Sequence, residues 1–272
     1  KGNKYGLIKV RLFRPFSTKH LLQALPKSVN SIAVLDRTKE AGSNGEPLYL
    51  DILKSITQAY QNRQLKTFPK VLGGRYGLSS KEFTPRMVKG VFDEMLKPEP
   101  KNHFTVGIVD DVTNTHLEAD EDFEVRRTTF NCMFYGLGSD GTVGANKNSI
   151  MIIGESTDKY CQAYFAYDSK KSGGITTSHL RFGDSPIRSP YLVVKPDFVA
   201  CHVPSYLEKY DMLKGLKEGG TFLLNSIWSE EDTIEHLPNH VKRYMAEHHI
   251  NFYIINEIFR NILKITKSLQ YH

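Results

Sequence analysis

The sequence predicts two consecutive α/β domains, each a three-layer arrangement of helices around a mostly parallel or mixed β-sheet. Three observations lead to this fold class. Short apolar runs alternate with longer segments in which apolar residues recur at helical spacing. The 272 residues are enough for two domains of ordinary size. Finally, the acidic stretch 118–124 (EADEDFE) offers little to bury and marks a solvated connection. We therefore place the domains at 1–125 and 126–272.

In the first domain the pattern predicts strands and helices in alternation. Ser17 is the candidate N-cap of the first helix, and Pro47 and Pro85 each suit the first turn of a later one. In the helix over 47–63 the apolar residues fall on one face, with Tyr60 included among them. The segment GGRYGL that begins at Gly73 is predicted to be a turn. The predicted strands are 7–13, 31–35, 68–72 and 104–109, and the predicted helices are 17–25, 47–63 and 84–96.

The second domain begins with a strand that runs into a glycine-rich loop. Residues 148–154 after this loop fit either a helix or a strand. Gly219 and Gly220 end the first of two later helices. The predicted strands are 129–135, 164–167, 191–194, 198–201, 221–224 and 252–255, and the predicted helices are 205–217 and 239–249.

The composition argues against a membrane protein, a nucleic-acid-binding protein and a metal-binding chain. No apolar run approaches the roughly 18 to 20 residues that cross a bilayer, and the first residues lack the layout of a signal peptide, so we expect a cytoplasmic protein without a membrane segment. The net charge of +6 comes from interleaved acids and bases, which argues against a nucleic-acid partner. Three widely spaced cysteines and the histidine pairs predict no metal site within the chain.

The glycine-rich loop, Gly136 to Lys147, is the strongest local signal for binding. It has four glycines within nine residues and directly follows a predicted strand. Such a loop lets backbone N–H groups approach an anion, as in phosphate-binding nests and at helix N-termini. Lys147 could add a positive charge. A glycine-rich turn between two elements is the competing interpretation, because a G-x-G-x-x-G match alone is weak evidence.

Asp168 lies 24 residues beyond Gly144, at the end of the next strand-like segment. A dinucleotide-binding fold places its ribose-binding acid near such a position. If both loops open at the carboxyl edge of one sheet, Lys170 and Lys171 could face an anion held by the first loop. The alternative is a solvated D-S-K-K turn. The charged segment 36–40 is predicted to be a surface turn with local ion pairs.

No arrangement of nucleophile and base is visible, and a Walker-type loop is excluded because Asn148 follows Lys147. No catalytic residue can therefore be assigned. The sequence predicts a binding site before it predicts a reaction centre.

Five long segments resemble pyruvate:ferredoxin (flavodoxin) oxidoreductases, also called pyruvate synthases. They occur in the same order as in that family, over roughly residues 5–256. The segments are LDRTKEAGSNGEPLYLD from Leu35, GGRYGLSSKEFTP from Gly73, YGLGSDGTVGANKNS from Tyr135, YDSKKSGGITTSHLRFGDSPI from Tyr167 and DFVACH from Asp197.

The resemblance implies an interior fragment of a large enzyme. That enzyme decarboxylates pyruvate on thiamine diphosphate, passes electrons through iron–sulfur clusters to ferredoxin or flavodoxin, and forms acetyl-coenzyme A. Residues 1–125 are similar to a transketolase C-terminal-like domain, and 126–272 to the gamma-type catalytic domain. Thiamine diphosphate and the clusters would be bound outside this segment, so the isolated fragment should be inactive. The full-length enzyme would be a homodimer in the cytoplasm or in a hydrogenosome-like organelle.

The resemblance also implies a ligand for the glycine-rich loop. The gamma-type domain helps to bind coenzyme A, which by position falls on Ser139, Asp140, Gly141, Thr142 and Val143, with Lys171 on a phosphate. Three alternatives stay open at this point. One is an independent NAD(P)-dependent dehydrogenase with Asp168 on the ribose or with Lys170 and Lys171 on a 2′-phosphate. The others are a purely structural or interaction fragment and a pyruvate:NADP-type variant of the same family.

Overall fold

The computed structural model describes residues 4–109, 112–125, 128–168 and 174–256. The chain divides into two compact units, residues 1–125 and 126–272. In the described residues the helices are α1 (Thr18–Ala24), α2 (Pro47–Gln61), α3 (Pro85–Met95), α4 (Thr142–Ser156), α5 (Glu230–His236) and α6 (Asn239–Glu247). The strands are β1 (Ser31–Asp36), β2 (Lys70–Tyr76), β3 (Phe104–Val106), β4 (His116–Leu117), β5 (Thr129–Leu137), β6 (Tyr160–Tyr167), β7 (Ile175–Gly183), β8 (Phe198–Cys201), β9 (Thr221–Asn225) and β10 (Asn251–Ile255).

The first unit is a parallel sheet covered by helices on both faces. Its strand order is β1-β2-β3-β4, and every neighbouring pair is parallel. Side chains of α1 and α2 pack with Val34 and Val71 on one face. Val91 of α3 packs with Leu72 and Phe104 on the other. This unit therefore has the three predicted layers, because alternate strand residues bury an apolar side chain on each face.

The predicted turn at Gly73 is largely strand. Gly73 and Gly74 lie inside β2, where a Cβ on Gly73 would stand 3.0 Å from the Tyr49 ring and one on Gly74 would stand 2.2 Å from the ring of Phe104. The two glycines therefore allow aromatic rings to pack directly on the backbone from either face. The pattern predicts a turn because the absence of a side chain suits both a turn and close packing on a strand.

The second unit contains a mixed sheet. Its strand order is β10-β9-β8-β5-β7-β6, with β7 antiparallel to both β5 and β6 and the other pairs parallel. Helix α4 packs over β5, β7 and β6. A core that includes Leu207, Phe222 and Val241 covers the other face. The predicted fold class, α/β with mostly parallel or mixed sheets, is confirmed.

Several predicted elements differ from the structure. Residues 7–13 and 191–194 form no strand, and Leu7 and Leu12 are largely exposed. The predicted helix over 205–217 is a short 3₁₀ helix, Pro204–Glu208, followed by turns, and Gly215 has a φ of 85°. Its apolar residues are nevertheless buried, which explains the helix-like pattern. Tyr60 is half-exposed rather than buried. The open segment 148–154 is helical, and β4, β7 and α5 were missed.

The segment 36–40 was predicted as a surface turn with local ion pairs, and this is wrong for its first residue. Asp36 is buried, and its two carboxylate oxygens accept hydrogen bonds from the backbone N–H groups of Leu48 and Tyr49, each at 3.1 Å. These groups belong to the first turn of α2, where Glu46 makes no side-chain cap. The last residue of β1 therefore caps the helix that follows it.

Among the described helices, none combines the length and the apolar composition that crossing a bilayer would require.

Candidate functional site

The glycine-rich loop connects the end of β5 to the start of α4. Gly141 is the N-cap of α4 with a φ of 89°, and Ser139 has a φ of 77°. Both residues therefore occupy the left-handed region, which only glycine adopts without strain. The loop turns the chain back within four residues, so that α4 begins at the carboxyl edge of the sheet.

Asp140 holds this turn closed with its carboxylate. One oxygen accepts a hydrogen bond from the N–H of Leu137 at 2.8 Å, and the other accepts from the N–H of Thr142 at 2.7 Å. Asp140 thus joins the last residue of β5 to the first residue of α4. The carboxylate also places a negative charge at the positive end of the helix dipole, where it is stabilising.

Two backbone donors of the first turn of α4 remain available. In the described part of the chain, the N–H groups of Val143 and Gly144 have no hydrogen-bond partner, whereas that of Ala145 donates to the carbonyl of Gly141 at 2.9 Å. The first N–H groups of any helix lack intrahelical acceptors. An anion placed here would therefore meet two free donors and the helix dipole.

Asp168 and Gly174, which flank the expected second loop, lie at the same edge of the sheet as the glycine-rich loop. The N–H of Gly138 donates to the carbonyl of Gly174 at 3.0 Å, and the N–H of Asp168 donates to Ile175 at 3.1 Å. The side chain of Asp168 lies beside Gly174, where a Cβ would stand 2.9 Å from the Cβ of Asp168. β5 and β6 therefore end at the same edge of the sheet, as expected. Lys170 and Lys171 lie outside the described residues.

The comparison of Asp168 with a dinucleotide-binding acid is not supported. In that fold the acid follows the strand adjacent to the one that carries the glycine loop. Here β7 lies between β5 and β6 and is antiparallel to both. Asp168 is therefore two strand spacings, roughly 10 Å, from β5 instead of one.

The strand order also reverses beside β5. α4, the helix that follows β5, packs on Gly136 through Thr142. The 3₁₀ helix that follows β8 packs with Leu137. Because neighbouring residues of a strand project from opposite faces, the two connections lie on opposite faces of the sheet. Open α/β sheets bind ligands at the carboxyl ends of strands where connections diverge in this way. The glycine-rich loop lies at this point.

Tyr206 of the 3₁₀ helix is a residue near the loop that sequence reasoning missed. Its ring is 6% exposed, and within the described residues its hydroxyl is buried without a hydrogen-bond partner. Burial raises the pKa of Tyr206, and the charge of Asp140 adds to the effect. The sequence places Tyr206 only within the helix predicted over 205–217, which does not mark it as a site residue.

Lys147 does not face the loop. Its ammonium lies 5.5 Å from the ring centroid of Phe165 in β6, in a cation–π geometry. Position 147 is five residues beyond Thr142, so it lies roughly 7.5 Å farther along the helix axis. The proposed positive charge for the anion therefore has to come from another residue.

Buried polar groups separate α4 from the sheet. Asn146 of α4 and Thr176 and Ser178 of β7 are at most 3% exposed. Each has a side-chain nitrogen or oxygen with no partner among the described residues. Buried polar atoms in this state are commonly satisfied by ordered water. The first turns of α4 thus rest on a partly polar interface with the sheet.

The described residues contain no group of three or more histidine, cysteine or acidic side chains that could hold a metal ion. Burial raises the pKa of Cys132 and Cys201 to about 12, so both thiols are protonated at neutral pH and act as apolar core residues.

Comparison with known proteins gives matches along most of the chain. A family model described as pyruvate ferredoxin/flavodoxin oxidoreductase matches residues 131–270, and one described as pyruvate:ferredoxin oxidoreductase core domain II matches residues 1–80. A pyruvate:ferredoxin oxidoreductase from Moorella thermoacetica is 58% identical over 95% of this chain and 22% of its own length. A probable pyruvate-flavodoxin oxidoreductase from Escherichia coli is 53% identical over 94% of this chain and 22% of its own length.

Among solved structures, a pyruvate oxidoreductase subunit from Thermotoga maritima aligns with a TM-score of 0.34 and 23% identity, over 41% of this chain and 57% of its own. The chain spans about a fifth of the length of the curated relatives that it matches.

Proposed function

Since the chain belongs to the pyruvate ferredoxin/flavodoxin oxidoreductase family, we propose that it is an interior part of an enzyme that oxidatively decarboxylates pyruvate to acetyl-coenzyme A. Its second unit would bind coenzyme A, and ferredoxin or flavodoxin would accept the electrons. The names of the relatives support the oxidation of pyruvate and the two electron acceptors. The coenzyme A site is our own assignment for this chain.

The observation that carries the assignment is the pair of free donors at the start of α4. Val143 and Gly144 present N–H groups, and Gly141 has no Cβ that could obstruct a ligand at the N-cap. A pyrophosphate carries negative oxygens that accept such hydrogen bonds. Ser139, Asp140 and Thr142 would shape the loop around it.

Asp140 introduces an electrostatic cost that the proposed site must offset. Its carboxylate lies at the same helix end that would receive the phosphates, so the two negative charges oppose each other. A cation close to the phosphates would compensate. Lys171, outside the described residues, supplies that charge in our proposal, because Lys147 is engaged with Phe165.

The remaining chemistry is assigned to other parts of the enzyme. Thiamine diphosphate would stabilise the carbanion formed on decarboxylation, and iron–sulfur clusters would carry single electrons. The described residues lack a cluster of potential metal ligands, and two of the three cysteines are buried in the core. The role of this segment is to hold coenzyme A. Proposed partners are the remaining domains, ferredoxin or flavodoxin, and a second copy in a cytoplasmic homodimer.

Calorimetric titration of the 272-residue chain with coenzyme A tests the assignment. We expect saturable binding that Gly141→Val and Lys171→Ala each weaken. Gly141→Val acts through the backbone, since valine disfavours a φ of 89°, whereas nothing within 4 Å would obstruct its Cβ. Gly154→Ala, near the other end of α4, is the matched control and should bind like the parent chain.

Two results would contradict the assignment of the coenzyme A site. If the double variant with Gly141→Val and Lys171→Ala bound coenzyme A as tightly as the parent chain, the site would be wrongly placed. Absence of any binding at millimolar coenzyme A would remove the proposed role of this segment.

An independent NAD(P)-dependent dehydrogenase is less well supported. The insertion of β7 moves Asp168 away from the glycine loop, and the strand pairing required by that fold is missing here. Titration with NADPH in place of coenzyme A separates the two functions. A pyruvate:NADP-type variant of the same family would keep the coenzyme A site and differ in its electron acceptor.

A further inference from the structure

A row of three residues crosses the second sheet beside the glycine-rich loop. Gly136 of β5 is paired with Thr176 of β7, and Thr176 is paired with Tyr167 of β6. Paired residues in antiparallel strands project from the same face. The three positions therefore share one face of the sheet.

Thr142, the first residue of α4, lies on this face of the sheet. A Cβ built on Gly136 would meet the Thr142 side chain at 2.3 Å, so Thr142 covers the Gly136 end of the row. At the opposite end, two strand spacings or roughly 10 Å away, the Tyr167 side chain lies on the same face. Thr176 lies between them, and its hydroxyl is buried without a partner among the described residues.

Tyr167 is 63% exposed although α4 covers the neighbouring part of β6. Lys147 of α4 reaches Phe165, which is two residues earlier and on the same face. The helix thus approaches β6 at Phe165 and leaves Tyr167 uncovered. β6 is an edge strand, so no further strand follows it within the described part of the sheet.

The direction of β6 places this exposed ring at the same edge as the loop. β6 and β5 are both antiparallel to β7, so they run parallel and end together. The hydrogen bond from Gly138 to Gly174 then ties the glycine-rich loop to the residue before β7. An open aromatic ring therefore lies at the same edge and on the same face as the start of α4, two strand spacings or roughly 10 Å from Gly136.

We propose that Tyr167 is the platform on which the adenine base of coenzyme A stacks. This inference rests on the proposed function, because it assumes that the phosphates of that ligand lie at the start of α4. In an adenine nucleotide a ribose joins the phosphates to the base, so the base must lie to one side of the phosphate site. Tyr167 is the exposed aromatic residue of the row on that face.

Tyr164 offers a matched control on the same strand. It is 58% exposed, but it is paired with His179 and differs from Tyr167 by an odd number of positions. Its side chain therefore projects from the opposite face. Truncation of either tyrosine removes an exposed aromatic from an edge strand, so the two variants should have similar effects on folding.

The test measures dissociation constants for two ligands by calorimetry. Coenzyme A contains the adenine base, and 4′-phosphopantetheine lacks it. We expect Tyr167→Ala to weaken coenzyme A about 5- to 150-fold, the range that corresponds to stacking of one base on an aromatic side chain. The affinity for 4′-phosphopantetheine should be unchanged. Tyr167→Phe, which keeps the ring, should bind coenzyme A within about twofold of the parent chain.

Different outcomes separate this inference from the proposed function. If Gly141→Val weakened coenzyme A while Tyr167→Ala did not, the site would stand and the stacking role would be wrong. An equal loss of affinity in Tyr164→Ala would also overturn it, as would an equal loss for 4′-phosphopantetheine. A parent chain that bound no coenzyme A would overturn both. Thermal unfolding of each variant establishes that it is folded. If Tyr167→Ala is not folded, the comparison of Tyr167→Phe with the parent chain still tests the proposal.

Discussion

The side chain of Thr142 lies directly against the backbone of Gly136, so that a Cβ at position 136 would stand 2.3 Å from Oγ1 and 2.7 Å from Cβ of Thr142. Gly136, the last residue but one of β5, and Thr142, the first residue of α4, are therefore in direct contact. This contact sets where the helix begins relative to the sheet, and so where its free N–H groups lie.

Gly136→Ala should displace the start of α4. We expect a loss of about 1–3 kcal/mol in the free energy of unfolding, the usual cost of a methyl group forced into a filled space. Urea unfolding measures this change. Gly154→Ala is the control, because its Cβ would meet only Cys161 Sγ at an ordinary 3.8 Å. It should be neutral or stabilise by about 0.5–1 kcal/mol, and an equal loss in both variants would contradict the proposed contact.

Asp140→Ala should loosen the loop by removing both of its acceptors. The N–H groups of Leu137 and Thr142 would then lose their partners, and we expect a loss of about 0.5–2 kcal/mol, as for other helix caps. Asp140→Asn keeps one acceptor oxygen, so its loss should be smaller. Chemical unfolding of the three proteins would show this order, and equal stability of the alanine variant and the parent chain would contradict it.

His179 should make the folded state sensitive to acid. Burial lowers its pKa to about 4 from an unperturbed 6.5, and Arg181 adds to the effect. The unfolded chain therefore binds a proton here between pH 6.5 and 4 whereas the folded chain does not, so stability falls as the pH falls through that window. At 1.36 kcal/mol per tenfold change in proton affinity, the whole effect is about 3 kcal/mol.

Substitution of His179 measures how much this residue contributes to the loss of stability at low pH. His179→Asn should flatten the decline in unfolding free energy between pH 6.5 and 4, when urea unfolding is compared at both ends of the window. His240→Asn changes an exposed histidine and should leave the decline as it is. The same slope in the parent chain and His179→Asn would show that other groups dominate.

Asp36→Ala should destabilise the first unit by about 0.5–2 kcal/mol. The substitution leaves the N–H groups of Leu48 and Tyr49 at the start of α2 without their acceptors. Glu40→Ala removes an exposed acid from the same connection and should change stability by less than about 0.5 kcal/mol. Hydrogen exchange of the Leu48 and Tyr49 amides would locate the effect, and unchanged protection of both would contradict it.

Sequence patterns predicted those elements whose apolar residues follow one period. α2, with its buried residues at helical spacing, and β1, a short apolar run, were found with nearly correct ends. β7 was missed because its buried residues include Thr176, Ser178, His179 and Arg181, which together do not resemble a core strand. The helix predicted over 205–217 was wrong for the opposite reason, because its turns bury as many apolar side chains as a helix would.

The candidate site was predicted in part. The loop follows from four glycines behind a predicted strand, whereas the segment 148–154 after it fits either a helix or a strand by its pattern. The capping role of Asp140 depends on the conformation of the loop, and the proximity of Tyr206 depends on a connection more than 60 residues later. Neither has a signature in neighbouring residues.

By itself, the sequence determined the α/β class, the turn at Gly136 to Gly141 and the family resemblance, because each depends on residues that are close together in the chain. The tertiary structure decided that β7 pairs between β5 and β6, which separates Asp168 from the loop and aligns Gly136, Thr176 and Tyr167. Strand neighbours are chosen by hydrogen bonds and burial between distant segments, and local spacing does not record that choice.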